Sequence, residues 1–125
     1  MTPTATETTV AFYRGLLAEH GDSVAATAQC PENQQRRFAL LTAGWDLEHA
    51  SICDIGCGRG DLYTWLVERG FGGLYTGLDV VPEFVEIAND RTEGRCVVAD
   101  AQTDPLPVCD YLIASGVFNL DVGGD

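Results

Sequence analysis

The chain has 125 residues, 46% of them hydrophobic, which suits one compact domain and excludes wholesale disorder. Its formal net charge is −12, with 7 Lys and Arg against 19 Asp and Glu; such a surface repels phosphate backbones and argues against DNA or RNA as a partner. Five cysteines without paired spacing, and no signal peptide, lipidation signal or membrane-spanning apolar run, point to reduced thiols in a cytoplasmic, non-membrane setting.

Residues 1–9 read as a frayed terminus. Residues 10–20 are predicted helical, with Tyr13, Leu16, Leu17 and His20 on one stripe and Gly21 as the stop. Residues 21–32 are small and polar, a loop or short helix. Residues 33–44 read as a second helix, with Asn33 as cap, Arg37, Leu40 and Leu41 on one face, and Gly44 as terminator. Residues 1–50 are thus expected to form a helical cap over one mouth of a ligand site. Residues 51–125 are expected to form the sheet domain, the whole being one structural unit.

The sheet domain opens at Ser51 to Ile55, a short apolar strand. It runs into Gly56-Cys57-Gly58-Arg59-Gly60, a turn whose alternate glycines bend the backbone and leave room for a ligand against the main chain. Leu62, Trp65, Leu66 and Arg69 follow at helical spacing. Gly72-Gly73 breaks the chain before a second strand, residues 74–79, which ends in Asp79. Pro82 suits the first turn of the next helix, whose stripe is Phe84, Ile87, Ala88 and Arg91. Residues 95–100 read as a third strand, 101–108 as a loop and 110–115 as a fourth strand. Strands alternating with helices imply a three-layer, Rossmann-like α/β fold with a mostly parallel, partial sheet of about four strands. The carboxyl ends of such strands form the ligand edge. The glycine turn, Asp79, Asp100 and Ser115 all fall there.

The ligand class follows from the acids. A dinucleotide fingerprint wants glycine where this chain has Asp61, and a carboxylate there repels a pyrophosphate at the helix N-terminus. A nicotinamide oxidoreductase fragment is therefore disfavoured, and a P-loop is excluded because no Lys-Ser or Lys-Thr follows the glycines. Cys53 and Cys57 lack a third cysteine at Gly60, so no iron–sulfur loop or other metal site is expected. Cys57 has no evident base and reads as a small loop residue.

Asp54-x-Gly56-x-Gly58-x-Gly60, with Asp79 and Asp100, resembles the cofactor half of the class I methyltransferases that use S-adenosylmethionine. The resemblance covers about residues 33 to 120. It implies that the backbone at Gly56, Cys57 and Gly58, in the turn closed by Gly60, lies against the methionyl part of the cofactor. It implies that Asp54 orders the loop and the cofactor amino group, and that Asp79 accepts from both ribose hydroxyls with Val80 beside the adenine. Asp100 and Ala101 would address the adenine edge, and Ser115 and Gly116 would border the methyl group. Arg37 is a candidate partner for the methionyl carboxylate, from its charge and helix placement. Plainer roles are open to the acids too: Asp54, Asp79 and Asp100 can each cap backbone amides.

The resemblance implies a methyltransferase acting on a small-molecule or protein acceptor and releasing S-adenosylhomocysteine. The rival is a non-catalytic module that binds the cofactor or adenosine and is completed by a partner chain. No general base stands out, so the catalytic residues stay unassigned. The family's sheet has about seven strands, with the fourth beside the first, whereas this chain stops just after its fourth. That strand is then an apolar open edge, and the chain is expected to pair there with a second copy, to be completed by another chain, or to be a truncated product.

Overall fold

A computed structural model describes residues 4–114. Their order is α1 (Ala5–His20), a 3-10 turn (Val24–Thr27), α2 (Pro31–Leu41), β1 (Ser51–Ile55), α3 (Asp61–Glu68), β2 (Leu74–Asp79), α4 (Pro82–Thr92), β3 (Cys96–Val98) and β4 (Tyr111–Ile113). The four strands form one parallel sheet in the order β3-β2-β1-β4. The fourth strand lies beside the first, as expected, and the architecture is Rossmann-like α/β.

Four expected elements needed correction at their ends. α1 starts at Ala5, not Val10, because Thr4 and Glu7 form a capping box: the Thr4 hydroxyl accepts the Glu7 N–H at 3.0 Å and Glu7 reaches back to the Thr4 N–H. α2 starts at Pro31 with Cys30 as its cap, not at Asn33. Proline's fixed φ suits a first turn, and the residue before it is held extended. β3 and β4 are each three residues long. β3 stops early because Asp100 closes a turn: its carboxylate accepts the Gln102 N–H and its own N–H goes to Asp104. At the head of β4, the Asp110 carboxylate accepts the Ser51 N–H at 2.9 Å.

The register sorts the side chains into two faces. Ile52 pairs with Tyr75 and Tyr111, and Asp54 pairs with Gly77 and Ile113, with Cys96 one strand further out. Ile52, Tyr75, Cys96 and Ile113 pack with Phe38 of α2, Leu62, Trp65 and Leu66 of α3, and Val85 and Ala88 of α4. The helices thus cover that face. The opposite face leaves Leu112 and Val97 about half exposed, the surface a third layer covers in a three-layer fold.

A smaller core ties the N-terminal cap to the sheet. Ala26, Val81 and Phe84 are buried together, with Val10, Tyr13, Leu17 and Val80 against them. Tyr13 meets Phe84 edge to face, ring centroids 5.7 Å apart. No helix among the described residues is long and apolar enough to cross a membrane.

Candidate functional site

The glycine turn is pinned to the end of the neighbouring strand. The Gly56 and Cys57 N–H groups both donate to the Leu78 carbonyl, at 2.7 and 3.0 Å. Gly58 has φ 55°, and a Cβ there would meet the Thr27 methyl at 3.0 Å. Glycine is required on both counts, of conformation and of space.

Asp79 braces this turn. Its Oδ2 accepts the Gly58 N–H at 2.8 Å and its Oδ1 accepts the Val81 N–H at 2.9 Å. A carboxylate has about four lone-pair sites, so roughly two remain after these bonds. Burial pushes the Asp79 carboxyl up, and the Val81, Gly58 and Val80 amides pull against it, so the acceptor capacity left is smaller than those two bonds alone imply. One side chain therefore does the capping work and keeps acceptor capacity toward a ligand.

Asp54 sits lower, inside the helix-covered face, 2% exposed. Among the described residues its hydrogen-bond partner is the Tyr75 hydroxyl, which donates to Oδ2 at 2.6 Å; no loop amide takes that place. Burial raises this carboxyl to about 7, with the Tyr75 bond working against the shift. An acid that holds its proton more tightly folded than unfolded stabilises most below the ordinary value of 3.8, and that contribution is lost as pH rises toward 7. Stability should therefore fall across this window by an amount of order 4 kcal/mol relative to Asp54→Asn, from about 1.4 kcal/mol per pKa unit. Urea midpoints of both proteins at acid and neutral pH check this. Parallel pH profiles would mean that Asp54 is not the titrating group.

Asp100 and Ala101 lie in the turn after β3. The Thr6 hydroxyl of α1 donates to Asp100 Oδ2 at 2.6 Å, and this bond, followed by the Gln102 N–H, holds the carboxyl below the usual range. Asp100 thus ties α1 to the turn after β3. Val80 packs in the small core under α1. Arg37 is partly buried on α2, one turn beyond Gln34, whose side-chain amide donates to Asp61 at 3.1 Å. Ser115 and Gly116 lie outside the described residues.

A charged clamp on the loop escaped the sequence reading. The Arg59 side chain, 11% exposed, donates Nε to Asp22 at 2.7 Å and Nη1 to Asp61 at 3.0 Å. Arg91 of α4 reaches the same Asp22 at 2.8 Å and the Arg59 carbonyl at 3.1 Å. Asp22 is 37 residues from Arg59 and 69 from Arg91, beyond any local pattern. The clamp also corrects the argument from Asp61. Its charge is compensated by Arg59, so it repels an anion less than the bare sequence implies.

No group of three or more His, Cys, Asp or Glu side chains placed for a metal occurs among the described residues. A shallow hollow of about 400 Å³, lined by Asp46, His49, Ala50, Asp110 and Tyr111, lies where β1 and β4 begin, at the end of the sheet away from the glycine turn.

The comparisons with known proteins agree with this geometry. The family described as "Methyltransferase domain" matches residues 52–122, more than half of the chain. A Mycobacterium tuberculosis protein that carries the name of a methyltransferase, Rv1506c, is 47% identical over 73 residues, 56% of this chain and 43% of its own. The chain thus spans less than half the length of that curated relative. An S-adenosylmethionine-dependent methyltransferase from Thiobacillus denitrificans, solved with S-adenosyl-L-homocysteine, superposes with a TM-score of 0.56 at 26% identity, over 82% of this chain and 43% of that one. Magnesium protoporphyrin IX methyltransferase from Synechocystis PCC 6803 superposes with a TM-score of 0.66, over 90% of this chain and 62% of that one; at 19% identity it supports the fold alone. With a parallel sheet ordered β3-β2-β1-β4, a glycine turn braced by the acid that ends β2, and a family match over residues 52–122, this chain belongs to the methyltransferase-domain family.

Proposed function

We propose that the chain is the cofactor-binding part of an S-adenosylmethionine-dependent methyltransferase that acts on a small-molecule or protein acceptor. The observation that carries this is the Asp79 carboxylate bridging the Gly58 and Val81 amides. It stands at the family's ribose position with acceptor capacity left over. The residues present fit the group: a carboxylate at Asp79 that ends β2, a loop without a Cβ at Gly58, and a partly buried cation at Arg37. Bound there, the cofactor supplies an electrophilic methyl group on a sulfonium centre.

The chain's own residues would then divide the work. Gly56, Cys57, Gly58 and Gly60 present backbone to the methionyl part. Asp79 takes the ribose hydroxyls, and Val80 lies beside the adenine. Asp100 and Ala101 address the adenine edge, with Ser115 near the methyl group. Asp54, buried under the loop on Tyr75, would support the turn from below. On this reading residues 1–50 form a cap within the same structural unit as the sheet, supported by the packing of Val10, Tyr13 and Leu17 of α1 against Val81 and Phe84. The net charge of −12 favours a neutral or cationic acceptor over a nucleic acid. A cytoplasmic setting fits five free thiols.

Isothermal titration tests the reading directly. S-adenosylhomocysteine should bind the purified chain and NAD should not; the opposite preference overturns the assignment. β4 ends the described sheet, and Leu112 on it is half exposed. Pairing of that edge with a second copy or another chain is expected on this reading. Light scattering at high concentration should show a dimer or larger species, and a monomer would remove self-pairing.

A further inference from the structure

The Cys57 and Cys96 thiols meet where β2 has no side chain. A Cβ built on Gly77 would stand 2.7 Å from the Cys96 sulfur and 2.9 Å from the Cys57 sulfur. The missing side chain of Gly77 thus opens a slot in β2, and two thiols fill it from the glycine turn on one side and β3 on the other. The nearby Cys57 thiol holds the Cys96 thiol down, to about 7, and the same proximity together with burial pushes the Cys57 thiol up, while the Cys57 S–H itself points to the Gly58 carbonyl at 3.8 Å. The Thr92 hydroxyl lies 3.6 Å from the Cys96 sulfur. The slot sets the two sulfurs side by side as a candidate pair of attacking and resolving thiols; both are buried, Cys57 6% and Cys96 3% exposed, so an oxidant reaches them through local opening of the turn. The methyl-transfer reading uses neither sulfur.

We propose that Cys57 and Cys96 are a redox-modification site, a thiol pair that closes to a disulfide under a peroxide-class oxidant and so fixes the glycine turn to β3. The Cys96 thiolate attacks one peroxide oxygen, the O–O bond breaks, and hydroxide leaves, giving a sulfenic acid. The Cys57 sulfur then attacks the Cys96 sulfur; the S–S bond forms, the S–O bond breaks, and water leaves with the Cys57 proton. Two thiols lose two electrons and one peroxide becomes two waters. A covalent S–S bond is much shorter than a thiol–thiol contact, so closure draws Cys57 toward β3 and takes the Gly56–Gly58 backbone with it. On the reading of that backbone as the cofactor cradle, the oxidised chain binds S-adenosylhomocysteine more weakly.

The full chain is treated with hydrogen peroxide, alkylated, unfolded and mapped by peptide mass spectrometry. A Cys57–Cys96 linked peptide is expected that dithiothreitol dissolves and that Cys96→Ala lacks. Exposed Cys30 serves as the internal control for oxidation. If Cys30 is oxidised while Cys57 and Cys96 are both alkylated on unfolding, or if Cys57 links to Cys53 instead, the pair is not the site. Amide exchange over residues 56–60 should slow by about tenfold in the oxidised chain, as a cross-link restrains local opening; unchanged exchange overturns the proposed fixing of the turn. Loss of S-adenosylhomocysteine binding on oxidation, restored by dithiothreitol, completes the result. No binding by the reduced chain would count against the cofactor reading, while the mapping and the exchange still decide the thiol pair.

Discussion

Asp79→Ala is expected to weaken S-adenosylhomocysteine binding by about 1–3 kcal/mol, roughly five- to 150-fold, the scale of hydrogen bonds to a charged group. Two effects add. The ligand loses an anionic acceptor. The loop also loses its brace, because the Gly58 and Val81 N–H groups are left without the carboxylate they donate to. Orphaned amides cost stability as well, so the variant should also unfold at lower urea. Asp79→Asn separates the two effects. An Asn keeps the side-chain volume but has only one carbonyl oxygen, so one of the two amides would face an NH2 group. Titration calorimetry and urea melts of both variants check this. Unchanged affinity in Asp79→Ala would reduce Asp79 to a turn brace and take it out of the ligand site.

The largest stability loss is expected from Phe84→Ala, about 3–5 kcal/mol, the range for truncating a buried aromatic. Phe84 is 2% exposed and stands between α4, Val81 and the cap. Its loss opens a cavity and removes the edge-to-face contact with Tyr13. α1 has no fully buried residue of its own, so it relies on this shared patch, on the Thr6–Asp100 hydrogen bond and on the Arg14–Glu83 pair. That pair is half exposed and contributes little by itself. Amide exchange across α1 should therefore rise along with the fall in the urea midpoint. A loss below about 1 kcal/mol, within the ordinary range for a surface change, would show that the cap and the sheet do not share one core.

Much of the fold was legible because local chemistry and burial agree. β1 and β2 run over the residues read as strands, and α4 begins at the proline expected in its first turn. Glycine and proline mark those ends, and apolar periodicity fills the space between. The misplaced ends have local causes. The start of α1 hid in Thr4-x-x-Glu7, a capping signature read as part of a tail. The third strand was read too long because Asp100 closes a turn on Gln102 and Asp104. Arg59 shows the other limit. A cation among glycines has no local reason to be buried, and its partner Asp22 lies on the far side of α2 in sequence.

The amino-acid order by itself determined the strand, glycine turn and helix, the parallel sheet, and the acids at or near the carboxyl ends of its strands. Those rest on interactions within a few residues and on the alternation of buried and exposed positions. Only the tertiary structure decided what each acid does. Asp54 goes to Tyr75, Asp79 to the Gly58 and Val81 amides, Asp61 to Arg59 and Gln34, and Asp100 to Thr6. A carboxylate in water has no fixed partner. Closure of the cap and the sheet around it removes that water, and desolvation then makes the nearest donor the decisive one.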